Sequence, residues 1–247
     1  EKQVTEQKFK FPTETVDLPS KGLLYPKDNP LSSGKVEMKY MTAKEEDILS
    51  NQSYIQKGIV LDKLLDELIV TKDVNHRDLV VGDKNAVLIA ARILGYGKEY
   101  SFTWAGEEQT IDLTELQNNE FDPSNMIDNR NEFAYTLPHS GNELTYRILT
   151  GREEAKVARE IKGLKKINKD ANPELTTRLK YMILSINGDD DNKQIREFVD
   201  NHLLARDSRA FRTHIRSFQP DVDLTITLDS GEEVEVPMGL SFFWPDI

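Results

Sequence analysis

Apolar and polar positions alternate most regularly late in the chain. From Asp223 to Met238 it reads DLTITLDSGEEVEVPM, with Leu224, Ile226 and Leu228 alternating with threonines and Val234 and Val236 with glutamates. Asp229-Ser230-Gly231 lies between the two runs. Period two on both sides of a turn cluster predicts a β-hairpin with one apolar face and one wet face. A shorter version, YSFTWAGEEQTIDL, runs from Tyr100 to Leu113. Both hairpins turn at Gly-Glu-Glu, at Gly106-Glu107-Glu108 and Gly231-Glu232-Glu233. Each follows a helix whose predicted N-cap is an aspartate, in Asp83-Lys84-Asn85-Ala86 and Asp207-Ser208-Arg209-Ala210.

The pattern upstream of each hairpin also recurs. Phe11 to Leu18 reads as extended, Leu18-Pro19-Ser20-Lys21-Gly22 as a turn, and Lys35 to Met41 as an alternating strand. Thr42-Ala43-Lys44-Glu45 is a capping-box pattern that opens a helix to about Ser50. Ile59 to Val70 carries an apolar stripe at helical spacing, and a helix from Asp83 ends at Gly95 and Gly97. In the second half Phe133 to Leu137 is extended and Leu137-Pro138-His139-Ser140-Gly141 echoes the earlier turn. Glu143 to Leu149 alternates, and Thr150-Gly151-Arg152-Glu153 repeats the capping box. Three helices follow: one from Pro173 through Ile186, one carrying Ile195 to Leu204, and one from Asp207 to about Phe218.

The expected fold is therefore α+β, with two related halves that arose by duplication. The first covers residues 1–117 and the second residues 133–247. Residues 118–132, rich in asparagine with two aspartates and a proline, read as the linker between them.

Composition narrows the function. The 247 residues are 38% hydrophobic and 30% charged, enough for a real core. A net charge of −11 argues against a nucleic-acid-binding surface. No apolar run is long enough for a membrane span and the start shows no secretory pattern. The absence of cysteine excludes disulfides, thiolate metal sites and cysteine nucleophiles. The four histidines, His76, His139, His202 and His214, are too few and too scattered to point to a histidine-rich metal site. No metal or other cofactor is expected, and the plain reading is a cytoplasmic protein.

Candidate chemistry is sparse. Asp189-Asp190-Asp191-Asn192 has carboxylates for a hard cation but lacks the spacing of a calcium loop, and Asp191 reads equally as a helix N-cap. Gly95-Tyr96-Gly97-Lys98 ends a helix, whereas a phosphate loop must open one. The paired glutamates of the hairpin turns point to opposite faces of a strand. His202 and His214 are separated by a helix break that leaves room for them to be neighbours, and they read as ordinary polar or core histidines in preference to a zinc pair. The basic run Lys162 to Lys169 and the series Arg206, Arg209, Arg212, Arg216 stand out in an acidic chain. The arginine spacing of three and four lines one helix face. Such a face is either solvated among acidic neighbours or a dock for an acidic protein partner. The apolar tail around Phe242, Phe243 and Trp244 either joins the chain's own core or anchors a partner.

The stretch VGDKNAVLIAARILGYGKEYSF with its GEEQT hairpin resembles the baseplate hub and hub-assembly proteins of contractile-tailed, T-even-like bacteriophages. So do LPSKGLLY and the ending DSRAFRTHIRSFQPDVDLTITLDSGEEVEVPMGLSFFWP. Members of that family often carry Cys-Pro-x-Cys-Gly-Glu knuckles where this chain has Trp104-Ala105-Gly106-Glu107 and Asp229-Ser230-Gly231-Glu232. Without cysteine the zinc knuckle does not carry over, and hydrophobic packing, with Trp104 as a candidate, is expected to staple the hairpins. The resemblance implies a non-enzymatic protein that contacts other tail and baseplate hub proteins, or the tape-measure protein. It would act in the host cytoplasm during assembly and in the virion baseplate. Two alternatives stand beside it: a transient tail-assembly chaperone absent from the finished particle, and a carboxylate-dependent hydrolase with acids converging in a cleft. Arg209, Arg212, Arg216, Phe242, Phe243 and Trp244 are the candidate partner-binding residues, read from the helix face and the apolar tail.

Overall fold

A computed structural model describes residues 12–169, 172–228 and 230–243. The chain is α+β, with small antiparallel sheets among helices. Strand β1 (Thr13–Asp17) pairs with β2 (Lys35–Lys39), placing Val16 opposite Val36. The alternation of β2 buries Val36 and Met38, as its period demands. The turn between the strands is held by two left-handed glycines packed on each other's loops. A Cβ on Gly22 would stand 2.5 Å from the Ser32 carbonyl oxygen, and one on Gly34 2.7 Å from that of Lys21. Only glycine fits both the backbone angle and the space.

Thr42 and Glu45 close the expected capping box at the start of α1 (Ala43–Leu49), with Glu45 taking the Thr42 amide at 2.8 Å. A short helix α2 (Gln52–Lys57), begun by Asn51 and ended by Gly58, precedes α3 (Val60–Leu68). The α3 stripe Val60, Leu64, Leu65 and Leu68 is buried. Helix α4 (Val81–Tyr96) then leads into the hairpin β3 (Glu99–Trp104) and β4 (Glu107–Asp112).

The second half follows a similar order. Strands β5 (Phe133–Thr136), β6 (Glu143–Tyr146) and β7 (Ile183–Ile186) form one sheet. The capping box Thr150/Glu153 opens α5 (Gly151–Ile167). Helices α6 (Glu174–Met182) and α7 (Asn192–Glu197) follow, α7 running into a π-helical turn over Phe198–His202. Helix α8 (Ala205–Phe218) precedes the hairpin β8 (Thr225–Thr227) and β9 (Glu233–Glu235).

Several expectations change. The helix predicted from Pro173 through Ile186 stops at Met182, and Ile183–Ile186 pairs with β6 instead. The two aspartates expected as N-caps are not caps: α4 starts at Val81 and α8 at Ala205, so Asp83 and Asp207 lie within the first turn, fully buried. Residues 118–132 form no simple linker. Asn118 bridges Val222, the Asn119 amide donates to Asp221, and Phe121 packs edge-on against Phe133 and Phe218.

The two sequence halves are also stitched at their helix starts. Val80 bridges Thr150, the Val81 amide donates to Leu149, and the Gly151 amide to Leu79. The first turn of α4 lies so close to the chain before β8 that a Cβ on Gly82 would stand 1.9 Å from the Pro220 carbonyl oxygen. One connected core results, running from Leu18 to Phe243.

Candidate protein-docking face

Helix α8 forms because its apolar and polar positions separate cleanly. Asp207, Ser208, Phe211 and Ile215 face the core, while Arg206, Arg209, Arg212 and Arg216 are all exposed. The three-and-four spacing thus does put the arginines on one face. Among the described residues none of the four pairs with a carboxylate. The Arg212 Nε donates only to the Ser208 carbonyl of its own helix, at 3.3 Å. Arg216, in the last turn, also meets the negative end of the helix dipole. Asp207, the only carboxylate on α8, points inward, away from this face.

Asp207 is where the helix meets the rest of its half. Its Oδ1 accepts the His139 amide at 2.9 Å and its Oδ2 the Ser140 amide at 3.0 Å. Burial works against the charge, but the hydrogen bonds from Ser140 and His139 outweigh it and hold the carboxyl below the usual aspartate range. Asp83 occupies the matching place in the first half. It accepts the Ser20 amide at 2.9 Å, the Ser20 hydroxyl at 2.5 Å and the Tyr25 hydroxyl at 2.6 Å. There burial prevails, helped by the nearby Asp221, and its carboxyl is pushed up.

Beside the arginines, α8 and β5 enclose a shallow hollow lined by Tyr135, His139, Arg206, Arg209, Thr213 and His214. His214 is sandwiched between Tyr135 and Phe218, with ring centroids at 4.4 and 5.6 Å, and its Nε2 lies 2.9 Å from the Tyr146 hydroxyl. Burial lowers its proton affinity, so it is an aromatic packing element more than a charge. His202 lies elsewhere, exposed at the end of the π-helical turn beside Glu197, so the two histidines have different surroundings.

The tail residues Phe242 and Phe243 are not partner anchors. They are 0% and 1% exposed, with Phe242 edge-on to Tyr100 at 4.8 Å and Phe243 edge-on to Phe242 at 5.3 Å. The Tyr100 hydroxyl also donates to the Pro237 carbonyl at 3.1 Å. The tail therefore covers the hairpin of the first half, and its rings have no free surface for another protein. Trp244 lies outside the described residues. Trp104 is not the staple either: it is 39% exposed at the hairpin end, and Tyr100 and Phe102 do the packing.

Asp191 caps α7 through the Lys193 amide and Asp189 takes the Asp191 amide, so both carboxylates serve the turn. Among the described residues no group of histidines and carboxylates is arranged to hold a metal ion. Nor is any helix among them long and apolar enough to cross a membrane. Sequence reading missed two buried polar centres. His76 sits between α3 carboxylates, its Nδ1 2.9 Å from Asp66 and its Nε2 3.5 Å from Asp62, which Lys84 of α4 also meets at 2.9 Å. The imidazole of His76 and the hydrogen-bonded Lys84 ammonium beside it hold the Asp62 carboxyl well below the usual range. Arg92 lies buried under Tyr96 and Tyr100 and donates to the Gly97 and Glu99 carbonyls, tying the end of α4 to β3. Neither residue stands in a motif; only the isolated charge at an apolar helix position hinted at Arg92. No protein-family model, no curated protein and no solved structure matches the chain.

Proposed function

We propose that this chain is a baseplate hub component or hub-assembly factor of a contractile-tailed bacteriophage, acting through protein–protein contact and not through catalysis. The setting comes from the sequence resemblance. The observation that supports the mode of action is the α8 face, where four exposed arginines carry no carboxylate partner among the described residues, in a chain of net charge −11. Unpaired guanidiniums keep their forked donors available for carboxylates of an acidic partner, another hub protein or the tape-measure protein. The same reading treats the halves as descendants of one unit, supported by the paired aspartate clamps and paired capping boxes.

Quantitative mass spectrometry of purified tails and of infected lysate tests it. A stoichiometric copy number in particles supports a structural subunit. Abundance in lysate with absence from particles supports an assembly factor. Absence from tail-assembly intermediates of every stage overturns the proposal.

A further inference from the structure

The hairpins β3–β4 and β8–β9 lie side by side, and among the described residues each is only two strands wide, with edges that no further strand covers. Where they approach, the chain beyond β4 is hydrogen-bonded to the chain before β8. The Asp223 amide donates to Gln117 at 2.7 Å and the Asn119 amide to Asp221 at 2.8 Å, around the antiparallel bridge Asn118–Val222. Past this stitch the strands part, and a groove of about 490 Å³ opens between β4 and β8. That is within the size range of sites that hold a ligand or short peptide.

The hydrogen-bond parity of each hairpin says which backbone groups face this groove. In an antiparallel pair alternate residues turn their N–H and C=O toward the partner strand and the others turn them away. Ala105-Gly106 is a two-residue turn, so Trp104–Glu107 is a bonded pair, and the bond from the Leu113 amide to Lys98 keeps the same parity. Glu108, Thr110 and Asp112 consequently present their main chain outward. In the other hairpin the Leu228–Glu232 and Val236–Leu224 bonds leave Thr225 and Thr227 outward. The Thr225 amide is already taken by the Asp223 carboxylate at 2.9 Å, which leaves its carbonyl and both groups of Thr227.

The side chains match a strand-shaped guest. Ile111, Leu116, Ile226 and Leu228 line the groove and are only half-buried, offering an apolar floor. Glu115 and Asp223 line it as well, together with Asp112, which already pairs with Lys98 at 2.5 Å; no lysine or arginine is itself part of the lining. Acidic residues on an edge can serve merely to discourage aggregation. Here two outward-facing edges converge over a shared apolar floor, which edge protection does not require.

We propose that the groove between β4 and β8 binds an extended segment of a partner protein in which apolar residues alternate with lysine or arginine, added as a strand to both edges. The apolar residues would cover the isoleucine and leucine floor and the cations would face the acidic rim. This surface is carried by its own geometry and is distinct from the arginine face, so its failure would leave the hub reading standing.

The test is selection of short linear peptides from a random mRNA-displayed library on the 247-residue chain, with counter-selection on a Thr110→Pro variant. Proline there removes an outward N–H without breaking a bond to β3. Enriched peptides should alternate apolar residues with lysine or arginine. They should bind at least tenfold more weakly to Thr110→Pro and to Thr227→Lys, the second variant serving if proline disturbs the hairpin. The Thr110 and Thr227 amides should gain protection from hydrogen exchange on binding. The proposal is overturned by any of three results: no enrichment over the counter-selected chain, equal affinity for both variants, or a groove already closed by a second copy of this chain in sedimentation.

Discussion

Asp207 holds the His139 amide at 2.9 Å across 68 residues of sequence, and its second oxygen takes the next amide in the turn. The carboxylate fixes α8, and with it the arginine face, to the turn between β5 and β6. Replacing Asp207 with alanine strands two part-buried N–H groups, a loss of about 2–6 kcal/mol at about 1–3 kcal/mol per unsatisfied group. Urea unfolding should show it as a lower midpoint with an unchanged slope.

The two clamps should respond to pH in opposite senses. Asp207 has a lowered folded pKa, so its contribution is fully present above the ordinary aspartate value and is lost as pH falls through the folded one. Asp83 has a raised folded pKa, so stability declines as pH rises from the ordinary value through the folded one. Urea midpoints measured across the acidic range should therefore flatten on the low side in Asp207→Asn. In Asp83→Asn the decline with rising pH should disappear.

The arginine face should matter for binding and not for folding. Arg209→Glu and Arg212→Glu should each shift thermal stability by about 0.5 kcal/mol or less, as exposed substitutions do, and Arg216→Glu by about 1 kcal/mol because it reverses the charge at the helix C-terminus. If the chain is the hub component or assembly factor proposed above, the protein carrying all three should fail to join tail-assembly intermediates in sedimentation of infected lysate. Assembly at the wild-type level would remove the face as a dock.

Phe242 is a core residue despite its place in the tail. Phe242→Ala should cost about 3–5 kcal/mol, read as a fall in the thermal midpoint with the tyrosine near-UV signal of the Tyr100 environment altered. Truncation after Leu240 should likewise impair folding, and not merely binding.

Gly82→Ala tests the seam between the halves. With the Pro220 carbonyl in the space a methyl needs, α4 and the chain before β8 must separate. The expected loss is about 1–3 kcal/mol, in the range for overpacking, measurable by chemical denaturation.

Local signals were readable in the sequence wherever a short window holds the cause. Both capping boxes lie within four residues, and both hairpins follow from period two around a glycine turn. What escaped was set by distant residues. Ile183–Ile186 continues a helical stripe on paper but finds the β6 edge in space, where its β-branched residues pack on a pleated surface. Asp83 and Asp207 sit where caps are usual, yet their oxygens turn inward to turns more than sixty residues earlier. The arginine face was legible because helical spacing alone defines it. Whether the tail pointed in or out was not, since the answer lay with Tyr100.

The pairing of Tyr100 with Phe242 also bears on how the chain is made. Proteins generally fold from the N-terminus as they leave the ribosome, but the cover for the first hairpin emerges only after the second half has been made as far as Phe242. Until Phe242 arrives, the apolar face formed by Tyr100 and Phe102 lacks its lid. Completion of the early half is thereby timed by synthesis of the late one, and a prematurely terminated chain would carry an uncovered aromatic surface.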